Sequence, residues 1–225
     1  MLVRVIQLTN KEYFDSLEGR LKRLEDLRKE GIVIGAGIIG ESLCPDDFFF
    51  VAALNRGIAM LDGMVMLLNE RNLACAGIVA RVRLDNCMRI YAAFIAEDRD
   101  AFIDGFIRGE KASSFKDNRG KKMRDCELVD RLAEYDPLFK RVYEKSSGYV
   151  HLSETAFYSI VSAKEPYHIE FTIGTPVKEE LNTVLLEIAD AFIYYTSFEY
   201  RLLKAVVASK ERLDAKLDAI DSEEN

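Results

Sequence analysis

The sequence predicts a mainly α-helical bundle carrying a small β-hairpin or short sheet as an appendage, and three observations lead there. Apolar residues recur at three- and four-residue intervals along most of the 225-residue chain. Helix-start signals recur as well: Pro45 before Asp46-Asp47, Asp136-Pro137 and Thr175-Pro176. Strict alternation of apolar and polar residues is confined to one stretch, Tyr167 to Ile173.

The elements follow in order. Leu2 to Leu8 reads as a strand, within residues 1–8, and Thr9 with Glu12 as a capping box for the first helix. The apolar stripe of that helix is Phe14, Leu17, Leu21, Leu24 and Leu27, and Gly31 is expected to end it. A helix over 46–70 is apolar nearly all round; its polar exceptions Asn55, Asp62 and Asn69 fall seven apart, on one face. With the helix over 72–97 it is expected at the middle of the bundle. A short helix over 98–111 and an exposed basic loop over 112–124 come next, then a helix from Asp136-Pro137 to Tyr149. Residues 158–173 read as the hairpin. The last helix points Val184, Ile188, Phe192, Tyr195, Leu202 and Val206 inward and is expected to fray into an acidic tail over 215–225. Tyr194, Tyr195 and Tyr200 read as core and rim. Residues 1–225 are expected to form a single domain.

Composition narrows the function classes. A hydrophobic share of 49% supports a real core, and a net charge of −7 argues against a large nucleic-acid-binding face. The longest uninterrupted apolar run, Phe48 to Leu54, is far short of the roughly 18 residues of a membrane span, so no membrane partner is expected. The N-terminus shows no apolar segment of signal-peptide length, and a cytoplasmic location is expected. Cys44, Cys75, Cys87 and Cys126 form no CxxC pair, and His151 and His168 are the two histidines. No metal site is expected from that set, and the cysteines read as reduced. His168 reads as a solvent-facing strand residue.

Gly35-Ala-Gly37-Ile-Ile-Gly40 matches the dinucleotide fingerprint GxGxxG. Its context does not: Pro45 interrupts the helix that should follow, and no alternation of β and α units supplies a parallel sheet. The segment over 32–44 is read as a glycine-rich connection packed under the bundle, and no cofactor is expected.

Two segments hold polar residues where apolar ones are expected. Arg81, Asp85 and Arg89 share one helical face at four-residue spacing. Tyr143, Ser147 and His151 do the same on a later helix. A buried Arg–Asp–Arg ladder needs polar partners, so His151 is expected within reach of it. These five residues, His151, Arg81, Asp85, Arg89 and Tyr143, are the candidate site, structural or catalytic.

At these residues the chain resembles a bacterial family of uncharacterised helical proteins, distantly like HEPN domains. The resemblance rests on RxRLDxxxRxYAA from Arg81, VYxxxSGYVHLS from Val142 and the loop Lys-Asp-Asn-Arg-Gly at 116–120, and spans about residues 70–155. It implies a metal-independent ribonuclease of abortive-infection or toxin type, with His151 catalytic. HEPN nucleases place an arginine four to six residues from that histidine; here Lys145 stands at that place. Three function classes therefore stay open: a helical binding or assembly module that self-associates, a HEPN-like ribonuclease acting on RNA, and a dinucleotide-binding protein through Gly35–Gly40.

Overall fold

A computed structural model describes residues 16–150, 161–165, 168–171 and 182–223. It is mainly helical, with seven α-helices among the described residues. The expected strand over 1–8 and the Thr9–Glu12 capping box lie outside them.

Helix α1, Leu17–Ile39, opens at Ser16, whose hydroxyl accepts the Gly19 N–H at 3.0 Å. It does not stop at Gly31. Leu24, Leu27, Gly31, Ile34 and Ile38 form one buried stripe through both halves of the helix. The glycines are there for close packing: a Cβ on Gly37 would stand 2.8 Å from Val207 Cγ1, and one on Gly31 would overlap the Tyr200 hydroxyl. Ile32–Ile34 are therefore helical and supply no strand for a dinucleotide turn. Gly40, with φ of 56°, ends the helix.

Helix α2, Pro45–Asn69, begins with Pro45 in its first turn, and the Asp47 carboxylate accepts the Cys44 N–H at 2.7 Å. Phe49, Phe50, Leu54, Leu61, Met64 and Leu68 are buried. Asn55, Asp62 and Asn69 share one face as expected, but that face is exposed, and so are Phe48 and Met66. The helix thus lies at the side of the bundle, not its middle. By length and composition alone it is long and apolar enough to cross a membrane.

The central position belongs to α3, Leu73–Ile95, capped by Asn72, which accepts the Cys75 N–H at 3.1 Å. It packs against α2, against α6 (Leu138–Val150) and against α7 (Asn182–Glu223). Short α4, Arg99–Ile107, is capped by Asp98.

The segment over 112–124 is more ordered than a solvated loop. After one 3-10 turn at Ala112–Ser114, the buried Asp117 carboxylate accepts the N–H groups of Arg119 and Lys121 at 3.0 and 2.9 Å and pairs with Arg131. Arg131 comes from α5, Asp125–Ala133, a helix the sequence reading passes over.

Val161–Glu165 and His168–Phe171 pair with each other antiparallel. On α7, Ile188, Phe192, Tyr195, Tyr200 and Val206 are buried against α1 and α3. Two buried ion pairs tie it to α1 and α2. Arg20 holds Asp190 by two hydrogen bonds, at 2.7 and 2.8 Å, and Lys210 pairs with Asp47.

Candidate functional site

Four of the five expected site residues are described, and they do not form one ladder. Arg81 sits over the Tyr143 ring, its Cζ 4.3 Å from the centroid, which joins α3 to α6. Arg89 turns the other way and donates to Asp85 at 2.8 Å and to Asp125 at 2.6 Å. Asp85 therefore has one arginine partner among the described residues, not two. His151, and with it the expected contact to this face, lies outside the described residues.

The residues that α3 buries are one step round the helix. Arg83 is fully buried, and its Nη2 stands 3.3 Å from Oε1 of Glu199, also fully buried, on α7. The other oxygen of Glu199, Oε2, accepts the Asn86 Nδ2 hydrogen bond at 3.0 Å, and the Cys87 thiol lies 3.7 Å from it. Burial pushes the Glu199 carboxyl above the usual glutamate range, against the pull of Arg83 and Asn86. Burial likewise raises the Tyr200 phenol, to about 12. The guanidinium fits because residue 57 has no side chain. A Cβ there would stand 2.5 Å from Arg83 Nη1 and 2.7 Å from Glu199 Oε1.

Asn86 connects this buried pair to the surface. Its Nδ2 also donates to the Ala53 carbonyl at 3.0 Å, and its Oδ1 accepts from Arg56 Nη1 at 3.0 Å. Arg56 opens onto a groove of about 960 Å³ between α2 and α4, floored by α3. Leu43, Pro45, Phe48, Phe49, Phe106 and Ile107 make its walls; Arg56, Asp85, Asn86 and Arg89 make its polar floor. A second depression of about 630 Å³ is lined by Lys111, Arg124, Asp125 and Tyr143, and Arg89 and Phe106 border both. Together they hold an apolar trench with a few fixed polar groups, the composition of a small-molecule site.

The sequence reading places Arg81, Asp85, Arg89 and Tyr143 near this region but misses Arg56, Arg83, Asn86 and Glu199. A signal for Glu199 exists: it lies four residues after Tyr195 and seven after Phe192, on the stripe read as buried. Among the described residues, no group of His, Cys, Asp and Glu is placed to hold a metal ion.

Compared with protein families, curated proteins and solved structures, the chain matches none of them.

Proposed function

We propose that the protein is a cytoplasmic, non-enzymatic binding module whose ligand site is the α2–α3–α4 groove. The observation that carries this is the way the polar floor is held. Asn86 uses both amide hydrogens, on Ala53 and on buried Glu199, which leaves its oxygen to hold Arg56 at the groove surface. A floor fixed from behind is preorganised, so little ordering is left for a ligand to impose. The exposed apolar side chains Ile32, Val33 and Met66 on α1 and α2 support the self-association that belongs to this reading, and the β-hairpin over 158–173 is its proposed appendage. Amide-shift mapping with neutral, apolar fragments tests it. Shifts are expected at residues 43–56, 85–89 and 106–107; shifts confined to other surfaces would remove the reading. Light scattering that shows a strict monomer would remove its assembly half.

A second reading, a HEPN-like metal-independent ribonuclease, is favoured by the Arg81–Tyr143 stack. That contact brings two of the expected residues together at the α3–α6 seam, on the helix that leads toward His151. Incubation of the protein with mixed RNA in EDTA separates the two. Cleavage that His151→Ala abolishes supports the nuclease, and intact RNA supports the binding module.

A further inference from the structure

Resting on the groove reading above, we infer that the groove's ligand is a carboxylate on an apolar body, with the Arg56 guanidinium taking the carboxylate. Three charged side chains line the groove: Arg56, Asp85 and Arg89. Arg89 is already claimed by Asp85 and by Asp125. Arg56 makes one side-chain hydrogen bond, to the neutral amide of Asn86, and has no carboxylate partner within 4.0 Å among the described residues. The acids at the start of its own helix are engaged elsewhere, Asp46 with Arg99 and Asp47 with Lys210. Glu199 feels the charge of Arg56 but lies buried against Arg83. Among the described residues the groove thus offers one positive charge with no carboxylate of its own, on a chain whose net charge is −7.

The orientation of Arg56 is fixed by chemistry as well as by distance. Exchanging the oxygen and nitrogen of the Asn86 amide would set an N–H₂ group against the guanidinium and an oxygen against the Glu199 carboxylate. Both contacts would be repulsive, so the arrangement with Oδ1 toward Arg56 is the one that holds. A guanidinium has five N–H donors in a planar fork, and Arg56 spends one on Asn86, leaving a pair suited to two carboxylate oxygens.

Apolar walls dictate the rest of the ligand. Phe48 is 62% exposed on the rim, a large aromatic surface that an alkyl or aryl body would cover. A phosphate head fits less well than a carboxylate. One guanidinium balances one negative charge, and a second would face Asp85 across the floor.

Isothermal titration of the full chain with decanoate, kept below its micellar concentration, tests the assignment. Decanoate is expected to saturate at one per chain, and decyltrimethylammonium to bind at least about tenfold more weakly, a factor set by one charge-assisted contact. Arg56→Gln is expected to weaken decanoate by about the same factor and to abolish the discrimination, while Arg56→Lys keeps part of both. Ala52→Glu places an acid one helical turn from Arg56, where it occupies the guanidinium, and should also abolish the preference without touching the buried pair. Equal binding of both amphiphiles, or decanoate binding that Arg56→Gln leaves unchanged, overturns the carboxylate assignment and leaves groove binding standing. Decyl phosphate displacing decanoate at lower concentration overturns it in favour of a phosphate head. Failure of every amphiphile overturns it too, and the neutral-fragment mapping then decides the groove reading on its own.

Discussion

Gly57 lies against Arg83 with no room for a single added carbon. A Cβ at that position would be 2.5 Å from the guanidinium Nη1 and would at the same time meet the Glu199 carboxylate at 2.7 Å. The guanidinium has nowhere to retreat, because the rings of Phe192 and Tyr200 flank it at 5.5 and 5.9 Å.

Gly57→Ala is therefore expected to destabilise the fold. Alanine gains about 0.5–1 kcal/mol over glycine inside a helix. Displacing a buried ion pair costs about 3–5 kcal/mol, so the clash wins and a net loss of about 2–4 kcal/mol is expected. Gly63, on the same helix, has nothing within 4 Å of its Cβ position. Gly63→Ala should show the helix gain alone. Urea unfolding of the two variants measures both, and a Gly57→Ala protein as stable as Gly63→Ala would refute the account.

Gly31→Ala on α1 is expected to cost about 1–3 kcal/mol through overpacking against Tyr200. The overlap is with the phenol oxygen, and the ring carbon behind it would stand at 3.0 Å. Tyr200→Phe in the same chain removes the oxygen and should restore part of the loss. A double-mutant cycle read from denaturant midpoints should give a favourable coupling; a coupling of zero would place the cost elsewhere.

Asp117 makes the basic segment sensitive to acid. Burial alone would raise its carboxyl, but the N–H groups of Lys121 and Arg119 and the Arg131 guanidinium together hold it below the ordinary aspartate range. The folded protein thus takes up this proton less readily than the unfolded chain does. The stabilisation is complete above about pH 4, the free-carboxyl value, and is lost as the pH falls through the lower folded value. Asp117→Asn should cost about 2 kcal/mol at neutral pH, the scale of hydrogen bonds to a charged acceptor. The gap between variant and parent in thermal melts should close in acid, and a gap that widens there would reverse the assignment.

Arg81 and Tyr143 should be coupled by about 0.5–1 kcal/mol, the range for a partly exposed cation–π contact. Arg81→Ala, Tyr143→Ala and the double variant give that number by equilibrium unfolding. A coupling near zero would mean that the stack contributes nothing to joining α3 and α6.

Much of the helical framework could be read from the chain because its signals are local. Pro45 at a first turn and the recurrence of Leu24, Leu27, Ile188 and Phe192 lie within a turn or two of what they specify. What stayed hidden depends on partners far along the chain. Gly31 looks like a helix end by itself and becomes a packing notch only when Tyr200 arrives. Arg81, Asp85 and Arg89 form the regular charge row, yet the residue α3 buries is Arg83, because the acid it meets sits on α7. Four-residue spacing identifies a shared face but does not say which face is turned inward. The groove has the same origin, since Phe48 and Phe106 become its two walls only when α2 and α4 are set side by side.

The 42-residue span of α7 also shapes how the protein can reach its native state. Arg20 and Asp190 are 170 positions apart, and Asp47 and Lys210 are 163 apart. By contrast, α1 packs on α2, α2 on α3 and α3 on α4, each the next helix in the chain. Closing a 170-residue loop costs about 2 kcal/mol more entropy than closing one of about 20 residues. Local helix pairs can therefore assemble early, while the faces of α1 and α3 that receive α7 wait for the last quarter of the polypeptide. Until it docks, Gly31, Gly37 and Cys87 lack the Tyr200, Val207 and Tyr195 groups that meet them, and the Arg83 guanidinium lacks its carboxylate. Long-range closure by α7 is thus the expected slow step of folding, and a chain lacking residues 182–223 is expected to expose the apolar faces that receive them and the charge of Arg83.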